Sequence, residues 1–316
     1  MSAELDVLIY NPDWTESYVA LLRARAPELN LLVCESEEDI AQSIDKADVL
    51  FVSTRFPAHF ISQASRVQWI QVMGAGVEGF TKDTRMDRAI VLTRVNTGYG
   101  EKISEFVFAY LLYILQRMNV VLRNQQLKLW KPLAVSWLYG ETLGVAGVGQ
   151  IGRAVATKAR ALDMRVIGFD LVSTGDASVE RMYGSDHLAE FAAEARFISV
   201  HMPLTENTEG LFDRTVFDAM RPDSILINTS RGGLVNEQDL VQALREGSIG
   251  GAILDVFAEE PLPPASPLWE MPNVVVTPHH SGSSVPEEMV DFFLDNVSRW
   301  RGGGPLRGVV DRDSGF

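Results

Sequence analysis

The chain has 316 residues, which suggests two domains, and 46% of them are hydrophobic, as is typical of a globular protein. Its net charge of −14 argues against nucleic acid or an anionic membrane surface as a partner. The single cysteine, Cys34, lies in an apolar stretch and cannot form an internal disulfide, so we expect a buried thiol. With neither a secretory signal pattern nor a run long enough for a transmembrane helix, we expect a cytoplasmic protein.

The first part of the chain alternates between short apolar stretches and helical patterns, which predicts a small parallel α/β unit. The predicted strands are Leu5 to Tyr10, Leu29 to Cys34, Val49 to Ser53 and Trp69 to Met73, and the predicted helices are Trp14 to Ala24 and Glu37 to Lys46. A long apolar helix is predicted from about Glu101 to Arg123. It would be either a core helix that links two domains or part of a dimer interface.

A glycine-rich turn, Gly147-Val148-Gly149-Gln150-Ile151-Gly152, separates a predicted buried strand (Leu143 to Val148) from a helical pattern. This strand–turn–helix context is the fingerprint of a dinucleotide-binding βαβ unit. Gly147 would allow the tight turn, Gly149 would let the backbone approach the pyrophosphate, and Gly152 would let the helix pack on the strand. The free N–H groups of the helix N-terminus would bind the phosphates.

Asp170 ends the second strand of this unit, Arg165 to Phe169, about twenty positions after the glycines. A carboxylate there can accept hydrogen bonds from both ribose hydroxyls and would repel a 2′-phosphate. The next residues, Leu171 to Ser173, include no cation for that phosphate. We therefore expect NAD rather than NADP, although a merely solvated carboxylate at the strand end is the alternative.

The rest of the chain resumes the alternation of strands and helices. The predicted strands are Phe197 to His201, Ser224 to Asn228, Ala252 to Val256 and Asn273 to Thr277, and the predicted helices are Glu237 to Arg245 and Pro286 to Trp300. The last helix does not fit easily into the strand order of the nucleotide-binding sheet. We expect it to return to the first domain, which would make that domain discontinuous.

Arg231 follows the end of a predicted strand and is followed by Gly232 and Gly233. The two glycines suggest that the backbone here lies close to another group. Ligands bind at the carboxyl ends of strands in open α/β sheets, and a guanidinium there can hold a carboxylate with two hydrogen bonds. The alternative for a lone arginine is a surface salt bridge.

His279 follows the end of the predicted strand Asn273 to Thr277 and is suited to proton transfer near neutral pH. Glu260 could hydrogen-bond the imidazole and favour its charged form. His280 and Glu259 compete with these two residues, and the sequence pattern does not choose within either pair. Ligand spacing for a metal is lacking, and no Gly-x-Ser-x-Gly elbow of a serine hydrolase occurs.

Together these motifs resemble the D-isomer-specific 2-hydroxyacid dehydrogenase family over nearly the whole chain. The motifs are the glycine turn, His201 to Thr205, Ile227 to Gly232, Leu254 to Phe257, Glu260 to Leu262 and Thr277 to His279. The resemblance implies catalytic roles for Arg231, Glu260 and His279, which selects within both ambiguous pairs.

The same resemblance implies further site residues. Asp255 would bind the nicotinamide carboxamide, and Gln150 and Ile151 would belong to the phosphate loop. The loop Gly74 to Val77 would offer backbone N–H groups to the substrate carboxylate, so Ala75, Gly76 and Val77 join Arg231 as predicted substrate-binding residues.

Within the family the chain looks most like the glyoxylate/hydroxypyruvate reductase A branch. The stretches that carry this likeness are Gly74 to Glu78, Thr97 to Glu101, Leu129 to Leu133 and Val310 to Arg312. Two features depart from the branch. Asp170-Leu171-Val172 replaces the basic residues of NADP-dependent members, and His280 replaces an apolar residue after the catalytic histidine.

The family implies two Rossmann-like parallel-sheet domains with an active-site cleft between them. Residues 1–98 plus 282–316 would form the substrate domain and residues 99–281 the NAD-binding domain, with a homodimer joined through the latter. Arg55, Trp130, Trp137 and the C-terminal tail are candidates for the side-chain pocket, although both tryptophans could instead be ordinary packing residues.

The predicted function is NADH-dependent reduction of a small 2-keto acid, glyoxylate or hydroxypyruvate-like, to the D-2-hydroxy acid, with His279 as proton donor. The first alternative is an NAD(H)-sensing dimeric binding module without turnover. The second is an enzyme of the same fold with another reductant, such as formate or phosphite.

Overall fold

The computed structural model describes residues 5–81, 86–172 and 175–312, which divide into two compact units. Unit 1 comprises Met1–Thr97 and Ser284–Phe316, and unit 2 comprises Gly98–Ser283. Residues at both chain ends that were assigned to the predicted first domain, and Ser173 of the stretch after Asp170, lie outside the described residues.

Unit 1 is built on a five-stranded parallel sheet with the strand order β2-β1-β3-β4-β5. Its strands are β1 (Asp6–Tyr10), β2 (Asn30–Cys34), β3 (Val49–Val52), β4 (Trp69–Val72) and β5 (Val91–Arg94), and the helices between them are α1 (Thr15–Arg25), α2 (Glu37–Ser43) and α3 (Glu78–Thr81). Strand β5 is not predicted from the sequence pattern. Cys34 is fully buried, as predicted, and burial raises the pKa of its thiol to about 11.

Unit 2 is built on a seven-stranded parallel sheet with the order β12-β11-β10-β9-β6-β7-β8. Its strands are β6 (Thr142–Ala146), β7 (Arg165–Phe169), β8 (Arg181–Tyr183), β9 (Phe197–Val200), β10 (Ile225–Asn228), β11 (Gly251–Leu254) and β12 (Val274–Val276). Its helices are α4 (Tyr99–Leu115), α5 (Met118–Gln126), α6 (Gln150–Ala161), α7 (Leu188–Glu194), α8 (Arg214–Ala219) and α9 (Glu237–Glu246). The two parallel sheets confirm the predicted fold class.

The long helix predicted from Glu101 to Arg123 is wrong, because α4 and α5 are separate helices that meet at a 59° bend. Arg117 adopts a left-handed conformation, with φ 52°, between them. The backbone N–H of Ser136 donates to the carbonyl of Leu115 (3.0 Å), so a distant segment takes a carbonyl that a continuous helix would need. In the part of the chain described here, no single helix is long and apolar enough to cross a membrane. The bent pair α4 and α5 reaches that length and apolar composition only when both helices are taken together.

The last helix, α10 (Pro286–Arg301), packs within unit 1. Phe293 stacks on Phe51 of β3, with ring centroids 4.3 Å apart. The side-chain amide of Asn296 donates to Oε1 of Gln71 in β4 (2.9 Å), and both residues are fully buried. Apolar stacking and a buried polar contact therefore join the C-terminal segment to the N-terminal sheet.

Candidate active site

The glycine turn after β6 leaves no room for a side chain at two of its three glycines. Gly147 has φ 91°, and a Cβ added there would lie 2.7 Å from the backbone of His201. A Cβ on Gly152 would lie 2.1 Å from the carbonyl oxygen of Gly147, whereas Gly149 faces open space. Helix α6 begins at Gln150, and no side chain caps it. The turn therefore leaves an open approach to backbone N–H groups at a helix N-terminus.

Asp170 lies at the carboxyl end of β7, beside the glycine turn. The Gly147 N–H donates to the carbonyl of Phe169 (2.8 Å), which joins the turn to the residue before Asp170. Oδ1 of Asp170 accepts from the N–H of Leu171 (2.9 Å), and the residue is half-buried. A carboxylate held in this way can accept hydrogen bonds from ribose hydroxyls.

Arg231 lies just beyond β10, where its loop is packed tightly against the segment that follows β11. A Cβ on Gly232 would lie 1.9 Å from the carbonyl carbon of Phe257, so only glycine allows this approach. The side chain of Asn228 fixes the loop, because its Nδ2 donates to the Arg231 carbonyl (2.9 Å) and its Oδ1 accepts from the Ser230 N–H (3.1 Å). Asn228 belongs to the motif around Arg231, but the sequence alone did not single it out.

Glu260 and His279 form a hydrogen-bonded pair in the same part of unit 2. Nδ1 of His279 lies 2.8 Å from Oε2 of Glu260, while Oε1 of Glu260 accepts from the N–H of Phe257 (3.0 Å). The carboxylate thus contacts both the imidazole and the segment against which the Arg231 loop packs. Because Nδ1 is engaged, Nε2 is the ring nitrogen that can exchange a proton with a substrate.

The pKa values of the pair shift in opposite directions. The hydrogen bond to Glu260 raises the pKa of His279; desolvation and the charge of Arg231 oppose this, while the charges of Glu260 and Asp255 add to it. Desolvation raises the pKa of Glu260, but the hydrogen bonds from His279 and Phe257 and the charges of His279 and Arg231 outweigh it and lower the pKa overall. The arrangement therefore favours a charged imidazolium beside a carboxylate.

Asp255, fully buried after β11, anchors the loop that carries His279. Its Oδ1 accepts from Oγ1 of Thr277 (2.6 Å) and the N–H of His280 (2.9 Å), and its Oδ2 accepts from the N–H of Ser281 (2.9 Å). Between these anchor points His279 has φ 52°, a left-handed conformation that is uncommon for a residue other than glycine. The sequence pattern does not predict this anchoring role.

The predicted carboxylate-binding loop belongs to unit 1, where it follows β4. The carbonyl of Gly74 accepts from the N–H of Val95 (3.1 Å), and that of Ala75 accepts from Nη1 of Arg94 (3.1 Å). Ala75 and Gly76 are half-buried, whereas Val77 is buried. The loop is thus held through its carbonyl groups by the end of β5.

Several candidate residues stand apart from the Glu260–His279 pair. Glu259, Glu260, His279 and His280 are all exposed, so exposure does not choose among them. The ring of His280 contacts Phe106 of α4 edge-on, with ring centroids 5.7 Å apart, whereas His279 bonds to Glu260. Trp130 is 100% exposed and Trp137 is 66% exposed, so neither is an ordinary packing residue within one chain.

His201 lies at the end of β9, between the glycine turn and the Arg231 loop. Its Nε2 is 2.8 Å from Oγ of Ser199, and burial lowers its pKa to about 3, which keeps the ring neutral. Across the described ranges, no group of three or more His, Cys, Asp or Glu side chains is placed to hold a metal ion.

Comparison with known proteins identifies the family. Residues 108–281 match the family described as D-isomer specific 2-hydroxyacid dehydrogenase, NAD binding domain. A family protein of known structure from Aeromonas salmonicida subsp. salmonicida A449 is 33% identical, with a TM-score of 0.92 over 98% of this chain and 100% of that one.

Two relatives carry more specific names. Glyoxylate/hydroxypyruvate reductase A of Serratia proteamaculans (strain 568) is 28% identical over 97% of this chain and 98% of its own length. The structure of the NADPH-dependent glyoxylate/hydroxypyruvate reductase from Sinorhizobium meliloti, in complex with NADP and sulfate, is 28% identical. Its TM-score is 0.87, over 99% of this chain and 100% of that one.

The chain belongs to the D-isomer specific 2-hydroxyacid dehydrogenase family. The similarity to reductases of branch A confirms the predicted resemblance to that branch. The protein is accordingly an NAD(P)-dependent oxidoreductase of the 2-hydroxyacid dehydrogenase class.

Replacing Glu260 with glutamine should lower the pKa of His279, because the acceptor charge that favours the imidazolium is lost. NMR titration of the five histidines measures this shift without any substrate. In the native chain the charged His279–Glu260 pair stabilises the folded state. This stabilisation is complete below pH 6.5 and is lost as the pH rises through the raised pKa of His279. In Glu260→Gln the loss should occur at a lower pH than in the native chain.

Glu259→Gln is the matched control, because it makes the same chemical change at the exposed neighbouring carboxylate. The His279 titration should not move in this variant. An equal shift in both variants would show that general loss of negative charge, not the 2.8 Å hydrogen bond, sets the pKa of His279.

Proposed function

We propose that this chain is an NADH-dependent reductase of small 2-keto acids, glyoxylate or hydroxypyruvate-like, and yields the D-2-hydroxy acid when the product is chiral. The observation that carries the proposal is the Glu260–His279 hydrogen bond beside the tightly packed Arg231 loop. An imidazolium that can donate a proton and a guanidinium that can hold a carboxylate are what reduction of a 2-keto acid requires.

Substrate recognition in this proposal rests on the carboxylate that every 2-keto acid carries. Arg231 binds the carboxylate and the neighbouring carbonyl oxygen with its planar array of N–H groups. The backbone N–H groups of Ala75, Gly76 and Val77 bind the carboxylate as well. The hydrogen bonds that hold the Gly74 and Ala75 carbonyls support this, because they fix the loop conformation before substrate arrives.

Proton transfer is the task of His279. As the carbonyl is reduced, negative charge develops on its oxygen, and Nε2 of the charged imidazole gives that oxygen a proton. Glu260 holds Nδ1, orients the ring and stabilises its positive charge. In the oxidation direction the neutral ring accepts the hydroxyl proton instead.

The glycine turn would hold a dinucleotide: the N–H groups of Gln150 and Ile151 would bind its pyrophosphate and Asp170 would bind its ribose. When bound, the nicotinamide cofactor supplies the hydride that the carbonyl carbon accepts. The family resemblance assigns the nicotinamide carboxamide to Asp255. Because its carboxylate is fully buried and already accepts from three donors of the chain, it would contact the carboxamide only if the loop that carries His279 moved. We place the enzyme in the cytoplasm, where its buried Cys34 thiol remains reduced.

His279→Asn should lower kcat for 2-keto acid reduction by about 10²- to 10⁴-fold, because the proton donor is lost. NADH binding, followed by fluorescence, should remain. Oxidation of NADH with glyoxylate, hydroxypyruvate and pyruvate is the assay. His280→Asn is the matched control at the next position, and its effect should be less than about tenfold, because its ring contacts Phe106 and not Glu260.

A His279→Asn enzyme with nearly normal turnover would remove the proton-donor role. NADH binding without turnover of any 2-keto acid by the native chain would favour the NAD(H)-sensing module. Turnover of formate or phosphite alone would favour the other enzyme class.

NADH, rather than NADPH, is the cofactor we propose. The Asp170 carboxylate supports this, because it would repel a 2′-phosphate at the end of β7. Arg153 of α6, the helix that follows the glycine turn, is paired with Asp176, with its Nε 2.7 Å from Oδ2 of Asp176. The S. meliloti relative contains NADP, so the two proteins would differ in this respect.

Asp170→Ser should increase the ratio of kcat/KM for NADPH to that for NADH by at least about tenfold, since a close like-charge repulsion is removed. Asp218→Ser, on the exposed face of α8, removes the same charge away from the glycine turn and should leave the ratio unchanged. A native enzyme that prefers NADPH would contradict the assignment.

We also propose a homodimer, formed through the α5 arm, by which we mean residues 118–139. None of the residues of α5 is buried, and the segment after it has neither helix nor strand. Eight of the fifteen exposed large apolar side chains of the described chain lie in this arm: Met118, Val121, Leu122, Leu127, Leu129, Trp130, Trp137 and Tyr139. So many exposed apolar side chains on one short segment are typical of a protein–protein interface.

Leu122→Glu should shift the dimer toward monomer, because a charge would enter a desolvated interface. Sedimentation equilibrium over a concentration series should show a dissociation constant at least about tenfold higher. Val309→Glu is the control, because Val309 is 57% exposed and Leu122 is 56% exposed, but Val309 lies in unit 1. A native chain that stays monomeric at micromolar concentration would refute the interface.

A further inference from the structure

Three loops of unit 1 come together at the carboxyl edge of its sheet. They follow β1, β3 and β4, which are adjacent parallel strands. Nδ2 of Asn11, after β1, lies 3.5 Å from the sulfur of Met73, after β4. The methyl group of Thr54, after β3, would lie 2.8 Å from a Cβ placed on Gly74. The loop proposed to bind the substrate carboxylate is therefore directly flanked by the other two.

Arg55 and Asp13 form an ion pair on these flanking loops. Nη2 of Arg55 contacts Oδ2 of Asp13, and the two side chains are 61% and 53% exposed. Each residue is presented by a tight turn: the N–H of Asp13 donates to Oδ1 of Asn11 (3.1 Å), and the N–H of Arg55 donates to Oγ of Ser53 (3.1 Å). The pair is thus held in place yet accessible to a ligand.

The pair offers two kinds of hydrogen-bonding group side by side. Arg55 has N–H donors beyond the one that Asp13 uses, and Asp13 has a carboxylate that accepts. A hydroxyl group both donates and accepts, so it matches the pair. A methyl group can do neither, and a second carboxylate would be repelled by Asp13.

We propose that Arg55 and Asp13 determine specificity, selecting 2-keto acids that carry a hydroxyl group on the carbon next to the carbonyl. The inference rests on the proposed 2-keto acid reductase function and adds the two residues that would discriminate among its substrates. With the carboxylate bound at Ala75 to Val77, the substituent on that carbon meets the Arg55–Asp13 pair. The hydroxyl accepts from Arg55 and donates to Asp13.

The test compares kcat/KM for glyoxylate, pyruvate, hydroxypyruvate and oxaloacetate. Glyoxylate has no carbon beyond the carbonyl and is the reference substrate. In Arg55→Leu the ratio of kcat/KM for hydroxypyruvate to that for glyoxylate should fall by at least about tenfold, mainly through KM, because a hydrogen bond to a charged donor is lost. The ratio for pyruvate to glyoxylate should not fall.

Asp13→Asn should change the substrate preference in the opposite direction. With the negative charge removed, Arg55 can pair with the second carboxylate of oxaloacetate, so the ratio of kcat/KM for oxaloacetate to that for glyoxylate should rise by about tenfold. Because both residues are exposed, neither change should unfold the chain, and thermal unfolding checks this.

Arg66→Leu is the matched control, because Arg66 pairs with Asp48 (2.8 Å), the residue before β3, at the amino edge of the same sheet. All substrate ratios should stay at their native values in this variant. If Arg55→Leu leaves the ratio for hydroxypyruvate unchanged while glyoxylate is still reduced, the specificity role is overturned and the proposed function stands. If the native chain reduces none of the four acids, both are overturned.

Discussion

The Asp255 carboxylate is the constraint on which the geometry of the candidate site depends. It is buried at the end of β11 and accepts three hydrogen bonds from the loop that holds His279. Hydrogen bonds to a charged group contribute about 1.5–3 kcal/mol each, whereas a left-handed residue other than glycine costs about 1–3 kcal/mol. The anchoring of His280 and Ser281 can therefore hold His279 at φ 52°, within hydrogen-bonding distance of Glu260.

A second constraint brings Arg231 to the same place. Gly232 lies so close to Phe257 that no side chain fits, and the N–H of Phe257 donates to Glu260. One short segment after β11 thus contacts both the Arg231 loop and the carboxylate partner of His279. The charges of Arg231 and Glu260 act on the pKa of His279 in opposite senses, and the hydrogen-bonded carboxylate prevails because it is in direct contact.

Sequence patterns predicted the parallel sheets well, because buried parallel strands are continuous apolar runs bounded by turn residues. They failed where one long-range contact decides the local structure. The break between α4 and α5 depends on a bond from Ser136 to Leu115, which no pattern near Arg117 indicates. Strand β8 (Arg181–Tyr183) is only three residues long and only partly buried, so its apolar signal is weak.

The same limit applies to the candidate site. The glycine spacing and the residue types around Arg231, Glu260 and His279 could be identified from the sequence. However, the choice between Glu259 and Glu260, and between His279 and His280, needed either the family resemblance or the 2.8 Å contact. The anchoring by Asp255 was missed because two of its three partners are backbone N–H groups, and any residue other than proline supplies one.

The two units carry different parts of the proposed chemistry, and this separation has a physical consequence. In unit 2, Glu260, His279 and the Arg231 loop are linked through the contacts of Phe257 and Asp255. In unit 1 the Arg55–Asp13 pair is exposed and attached to turns, and exposed substitutions seldom affect the fold. If the Arg55–Asp13 pair sets the preference for a substrate side chain, as we propose, that preference can change through these turns while the Glu260–His279 contact stays intact.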